Sequence, residues 1–101
     1  MVKVTFLFNH PADPDEFNRY FFEQHLPLTR DVPGLIRQEI ATVVGTPDGS
    51  PAPYHFITEF TFASMDDLQV ALGSEAAQRV FADTPNYASA GLIGLVSEIG
   101  E

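Results

Sequence analysis

The sequence predicts an α+β domain of order β-α-β-β-α-β, with a four-stranded antiparallel sheet and helices on one of its faces. Three observations predict it. Runs of alternating β-branched and aromatic residues open the chain, recur in its middle and return at its end. Two segments between those runs carry helix-start signals. The length, 101 residues, suits one core, so residues 1–101 are expected to form a single domain.

The first strand is "VKVTFLFN", where Val2, Val4, Phe6 and Phe8 alternate before Pro11 ends the run. In "DPDEFNRYFFEQHLPLTRD", Asp13 reads as an N-cap, Pro14 occupies the first helical position where no amide partner is lost, and Glu16 follows three residues after the cap. "VPGL" is a Pro-Gly turn into the second strand, "LIRQEIATVV", which "GTPDGSPAP" terminates. "YHFITEFTF" has the densest β-propensity, with Tyr54, Phe56, Phe60 and Phe62 on one face and His55, Ile57, Glu59 and Thr61 on the other. Ser64 caps "MDDLQVAL" and Ser74 caps "EAAQRVFAD", which gives two short helices or one bent one. "AGLIGLVSEIG" is the fourth strand. This is the split βαβ, ferredoxin-like arrangement.

Two helical segments cover one side of such a sheet. The other side also offers apolar groups, because strands one, three and four carry them at both parities: Phe6 and Leu7, Phe56 and Ile57, Leu92 and Ile93. A second copy of the chain is the simplest cover, so a homodimer through sheet faces is expected.

Composition narrows the function classes. Fourteen acidic residues against five basic ones give a formal charge of −9, which repels phosphate backbones and anionic headgroups and makes nucleic acid and membrane surfaces poor partners. There is no cysteine, so thiolate nucleophiles and cysteine-built metal sites are excluded and a reducing cytoplasm suits the chain. The opening run is too short for a membrane span or signal segment. A soluble cytoplasmic protein is expected.

His25 is the residue that asks for an explanation. Phe17, Tyr20, Phe21, Gln24, His25 and Leu28 follow the spacing of one helical face, and Phe22 and Leu26 widen the apolar stripe. Pro27 is expected to break the helix, displacing Leu26 from α geometry and freeing backbone acceptors near the imidazole. Two readings follow. His25 either bonds a freed carbonyl as a satisfied core histidine, or it borders a cavity between helix and sheet where a neutral imidazole exchanges a proton with a small apolar ligand.

The block "YFFEQHLPLTRDVPGL", the strand "GSPAPYHFITEFTF" and the later "FADTPNY" resemble the EthD-like family of dimeric α/β-barrel proteins. His25, Pro27 and Leu28, with Pro85, Asn86 and Tyr87, carry the specific part of the resemblance. It implies a small hydrophobic ligand held between sheet and helices, as in related muconolactone isomerases, heme-free quinone-forming monooxygenases and aromatic polyketide cyclases. It also implies His25 as the catalytic residue, with Tyr20 and Tyr87 sharing its cavity. Phe21 and Gln24, on the same helix face, complete the expected ligand-binding set.

The function expected is a cofactor-independent dehydration, isomerisation or cyclisation in catabolism or secondary metabolism. One alternative is a non-catalytic ligand-binding protein that serves an oxygenase system. Another is the redox role suggested by the family label reductase. No cofactor is expected, since the chain has no GxGxxG or Walker-type loop. Nor is a metal expected, because His10, His25 and His55 fall on separate elements without ligand-pair spacing. His55 and Glu59 share a strand face that, on the geometry the resemblance implies, looks at the partner sheet or lines the cavity, and an interfacial hydrogen bond is the use expected of them.

Overall fold

In a computed structural model of the chain, residues 1–100 are described, and four strands and their helices follow the expected order. Strands β1 (Val2–Phe8), β2 (Leu35–Thr42), β3 (Phe56–Phe62) and β4 (Leu92–Glu98) form one sheet in the order β2-β3-β1-β4. Every neighbouring pair is antiparallel. The helices are α1 (Pro14–Tyr20), α2 (Leu26–Thr29), α3 (Met65–Leu72) and α4 (Glu75–Asp83). A π-helical turn, Phe21–His25, joins α1 to α2, and a 3₁₀ turn, Thr84–Asn86, follows α4.

Caps set the helix starts as the sequence implies. Asp13 accepts from the Glu16 amide at 3.1 Å, Ser64 from Asp67 at 3.1 Å and Ser74 from Ala77 at 3.1 Å. The α3–α4 region is two helices, split where the Ser74 hydroxyl also donates to the Ala71 carbonyl at 2.6 Å. The turn before β2 needs a left-handed residue, which Gly34 supplies at φ 76°.

Pro27 does not break the first helix. Leu26 keeps α geometry at φ −54°, ψ −42°, and its amide reaches back five residues to the Phe21 carbonyl. Proline would drive its ring into the carbonyl four residues earlier, and the widened π turn moves that carbonyl aside and lets the helix continue. Widening also changes which residues share a face. Phe17, Phe21, His25 and Thr29 are buried at four-residue steps, whereas Gln24 is exposed and Phe22 is 49% exposed. The apolar stripe is therefore narrower than α periodicity implies.

On the sheet, Val2, Val4, Phe6 and Phe8 of β1 align with Phe62, Phe60, Thr58 and Phe56 of β3 beneath the helices. The opposite face is mixed. Ala41, Ile57, Leu7 and Ile93 form one cross-strand row, and Leu95 stands beside it at 51% exposure. Further along the same face, Lys3 pairs with Glu59 at 2.6 Å and Arg37 with Glu39 at 3.1 Å. Glu59 is thus held within the chain. So is His55, which precedes β3 and leaves its alternation: its Nε2–H donates to Asn18 Oδ1 on α1 at 2.7 Å and its ring stacks on Phe56. His55 therefore does not share the open face with Glu59, and the hydrogen bond and ion pair described for the two lie within the chain.

Candidate functional site

His25 sits on the π turn, 4% exposed, where the wide turn directs it with Phe21 toward the sheet. π turns of this kind concentrate at functional sites. Its Nδ1 lies 2.9 Å from Asp83 Oδ2, so the imidazole bonds a carboxylate and not a backbone carbonyl. Asp83 is the last residue of α4, and three groups converge on it. Tyr20 donates its hydroxyl to Oδ1 at 2.6 Å, Asn86 donates its side-chain amide to Oδ1 at 3.0 Å, and His25 holds Oδ2.

These contacts fix the protonation states. Burial pushes the Asp83 pKa up, but the bonds from Tyr20, Asn86 and His25 together outweigh it and hold the carboxyl below its ordinary value. Burial lowers the His25 pKa, and the opposing pull of Asp83 does not restore it. Around neutral pH the pair is a carboxylate beside a neutral imidazole. A carboxylate only accepts, so Nδ1 carries the proton and Nε2 keeps its lone pair. Among the described residues, no hydrogen bond engages Nε2. This is the orienter–base arrangement of acid–base sites.

The ring forms part of the wall of a cavity of about 260 Å³. Its floor is the sheet, through Phe6, Phe8, Thr58, Phe60 and Leu92. Phe21 stands beside His25, and α4 with the turn after it forms a partial roof through Val80, Phe81, Thr84 and Pro85. Near the start of α4, Ala76 and Ala77 are buried, and further along the larger Val80 and Phe81 line the cavity.

Tyr87 completes the wall and is the hub of the aromatic core. Its ring lies 4.5 Å from that of His25 and stacks on Tyr20 at 5.7 Å. Its hydroxyl is buried with no hydrogen-bond partner among the described residues. Thr84 is the nearby hydroxyl, and it donates to the Val80 carbonyl at 3.0 Å. Burial pushes the Tyr87 pKa strongly upward, against a smaller lowering influence from Thr84, so the phenol stays protonated.

The structure brings His25, Phe21 and Tyr87 together on one cavity. Tyr20 lies outside it: its hydroxyl is spent on Asp83, and it borders a separate, more polar cleft with Asp13, Glu16 and Asn86. Gln24 is exposed and lines no cavity described here. Asp83 escapes a reading based on helix faces, yet it carries a signal. A carboxylate in the last turn of a helix opposes the macrodipole, so some other group has to favour it there. No three histidine, aspartate or glutamate side chains come together as a metal site among the described residues, and no described helix is long and apolar enough to cross a membrane.

Comparison with known proteins places this geometry in a family. The EthD domain model matches residues 9–91, which include both His25 and Asp83. An uncharacterized 11.0 kDa protein from the thcB–thcC intergenic region of Rhodococcus erythropolis is 31% identical, with 97% of this chain and 94% of that protein aligned. Among solved structures, an ethyl tert-butyl ether D (EthD) family protein from Bacillus halodurans superposes with a TM-score of 0.91 at 28% identity, covering 99% of each chain. A dimeric ferredoxin-like protein from Thermobifida fusca shares the fold at a TM-score of 0.72 and 12% identity, over 97% of this chain and 90% of that one. With the domain match spanning β2, β3, the helices and both members of the His25–Asp83 pair, the chain belongs to the EthD family.

Proposed function

We propose that the protein is a cofactor-independent enzyme that moves a proton on a small apolar molecule bearing a carbonyl or hydroxyl. The observation that carries this reading is the 2.9 Å His25–Asp83 pair on the wall of an apolar cavity of about 260 Å³. Asp83 fixes the tautomer, His25 Nε2 accepts a proton from the guest and returns it, and the apolar walls strengthen the exchange by excluding water. Dehydration, isomerisation and cyclisation all use such a step.

The bicyclic ketone 2-tetralone is a suitable probe, because it has acidic protons beside its carbonyl. In D₂O the protein should accelerate exchange of those protons, followed by NMR, and His25→Ala should lose about 10²–10⁴-fold of that acceleration. A folded His25→Ala protein that exchanges at the wild-type rate overturns the reading. Binding of the ketone without any exchange favours carriage instead, with the protein holding a metabolite or delivering it to an oxygenase.

The same reading includes a homodimer through the open sheet face. Its support is the Ile57–Leu7–Ile93 row with Leu95 beside it, together with neighbours of the same fold that are described as dimeric. Leu95→Asp should shift the sedimenting species from dimer to monomer.

A further inference from the structure

Gly94 lies in the middle of β4, where a glycine weakens a strand unless something must approach it closely. What approaches is Phe6. The two residues are direct cross-strand partners, and a Cβ placed on Gly94 would meet Phe6 Cε1 at 3.1 Å and Cδ1 at 3.3 Å. The Phe6 ring therefore lies down over the glycine. Its other neighbours are Thr58, small and directly opposite on β3, and the Phe60 ring at 6.0 Å in an edge-on contact.

Phe6 also has a place between two spaces. Beside the main cavity lies a second of about 50 Å³, walled by Val4, Phe62, Leu68, Ala71 and others. Phe6, Phe60, Val80 and Phe81 line both spaces, whereas His25 lines the main one only. The residues common to both form the partition. Val80 and Phe81 are anchored to a helix and Phe60 stands in the central part of the sheet. Phe6 is the ring whose position a missing side chain sets.

We infer that Gly94 and Phe6 set ligand specificity: Phe6, seated on Gly94, divides a main chamber from a side chamber and fits the site to a one- or two-ring apolar molecule with a short alkyl substituent. The oxygen of such a molecule lies at the His25 end, and the substituent points past Phe6. Volume decides the size class. A cavity of roughly 150 Å³ accepts benzene, so about 260 Å³ accepts a larger ring system. The side chamber, at about 50 Å³, has room for one or two carbons. Any side chain at position 94 lifts Phe6 off the strand and into the space it borders. Removing the Phe6 ring merges the chambers.

This inference rests on the reading that a guest occupies the His25 cavity, but it does not need proton transfer. The test measures binding alone, by calorimetry, of phenol, 2-naphthol and a series of 4-alkylphenols. Wild-type affinity should rise from phenol to 4-ethylphenol and fall by 4-hexylphenol. Gly94→Ala should weaken 2-naphthol about tenfold or more while changing phenol less than about threefold. Phe6→Ala should move the optimum to a longer chain, with 4-hexylphenol gaining about tenfold over wild type. Circular dichroism establishes that each variant is folded, and either folded variant suffices.

A folded Gly94→Ala with the wild-type 2-naphthol affinity, or a folded Phe6→Ala with the wild-type chain-length optimum, overturns the partition. So does wild-type protein that binds none of the phenols. Phenol binding with the predicted variant pattern but no 2-tetralone exchange leaves the partition standing and removes the enzymatic reading.

Discussion

The space between sheet and helices holds two cores of opposite character. At one end Val2, Val4, Phe62, Leu68 and Ala71 pack mainly aliphatic groups around a void of only about 50 Å³. At the other, Phe8, Phe17, Phe21, Phe56 and Tyr87 build a cage of rings beside a cavity of about 260 Å³. Small branched chains interdigitate and leave little space. Edge-to-face rings, such as Phe17 on Phe56 at 5.3 Å and Phe21 on Phe56 at 5.4 Å, brace one another into walls that hold a gap open. On the proposed reading, stability is concentrated at the first end and chemistry at the second, on one continuous sheet.

The largest expected effect tests that division by truncating one apolar residue on each side. Leu68 is 1% exposed in the aliphatic core, and Leu68→Ala should cost about 2–5 kcal/mol in urea unfolding. Phe81 loses more atoms on truncation, yet it is 46% exposed and already faces the cavities. Phe81→Ala should cost about 1–2 kcal/mol. Equal costs would mean that the cavity roof is structural core and would break the comparison.

A second measurement addresses the polar pair inside the ring cage. His25 has a lowered pKa, so on acidification the unfolded chain takes up a proton before the folded one does. Stability attributable to His25 therefore rises with pH through a window whose upper edge is about 6.5, the ordinary imidazole value, and is lost as pH falls through it. His55, lowered by burial and by His10, adds a slope of the same sign. His25→Gln should accordingly flatten the pH dependence of the unfolding free energy in part, with His55→Gln removing a separate share. In Asp83→Asn, the imidazole loses the group that favours its cation. Its pKa should fall further, and its ¹⁵N spectrum should change from one Nδ1–H tautomer to a mixture. An unchanged spectrum would remove Asp83 as the orienting group.

The order of elements along the chain, capping and the burial of His25 were legible in the sequence because each has a local cause. Asp13, Ser64 and Ser74 announce helix starts by residue type, and Val2, Val4, Phe6 and Phe8 alternate visibly. The π turn was not legible. α periodicity places Gln24 with Phe21 and His25, and only the accommodation of Pro27 shifts the register that exposes Gln24. His25's partner was hidden for another reason: Asp83 lies 58 residues away, and no spacing rule links a π turn to the end of α4. The roles of Gly94 and Phe6 likewise need the antiparallel register of β1 with β4, which sets them side by side.

The smallest effect concerns the joint between the two regions. Ser74 closes α3 and opens α4, so one hydroxyl links the aliphatic core to the cavity roof. Ser74→Ala removes its bond from the Ala77 amide and its bond to the Ala71 carbonyl, and should cost about 1 kcal/mol, the usual value of a lost N-cap. The informative readout is hydrogen exchange. If the joint couples the regions, protection should fall at the start of α4, around Ala77 and Gln78, and spread to the amides of Val80 and Phe81 above the cavity, while those of β1 and β3 keep wild-type protection. Loss confined to the first turn of α4 would show that the roof is held by its contacts with the sheet and with Asp83, and that the two cores are independent in stability as well as in composition.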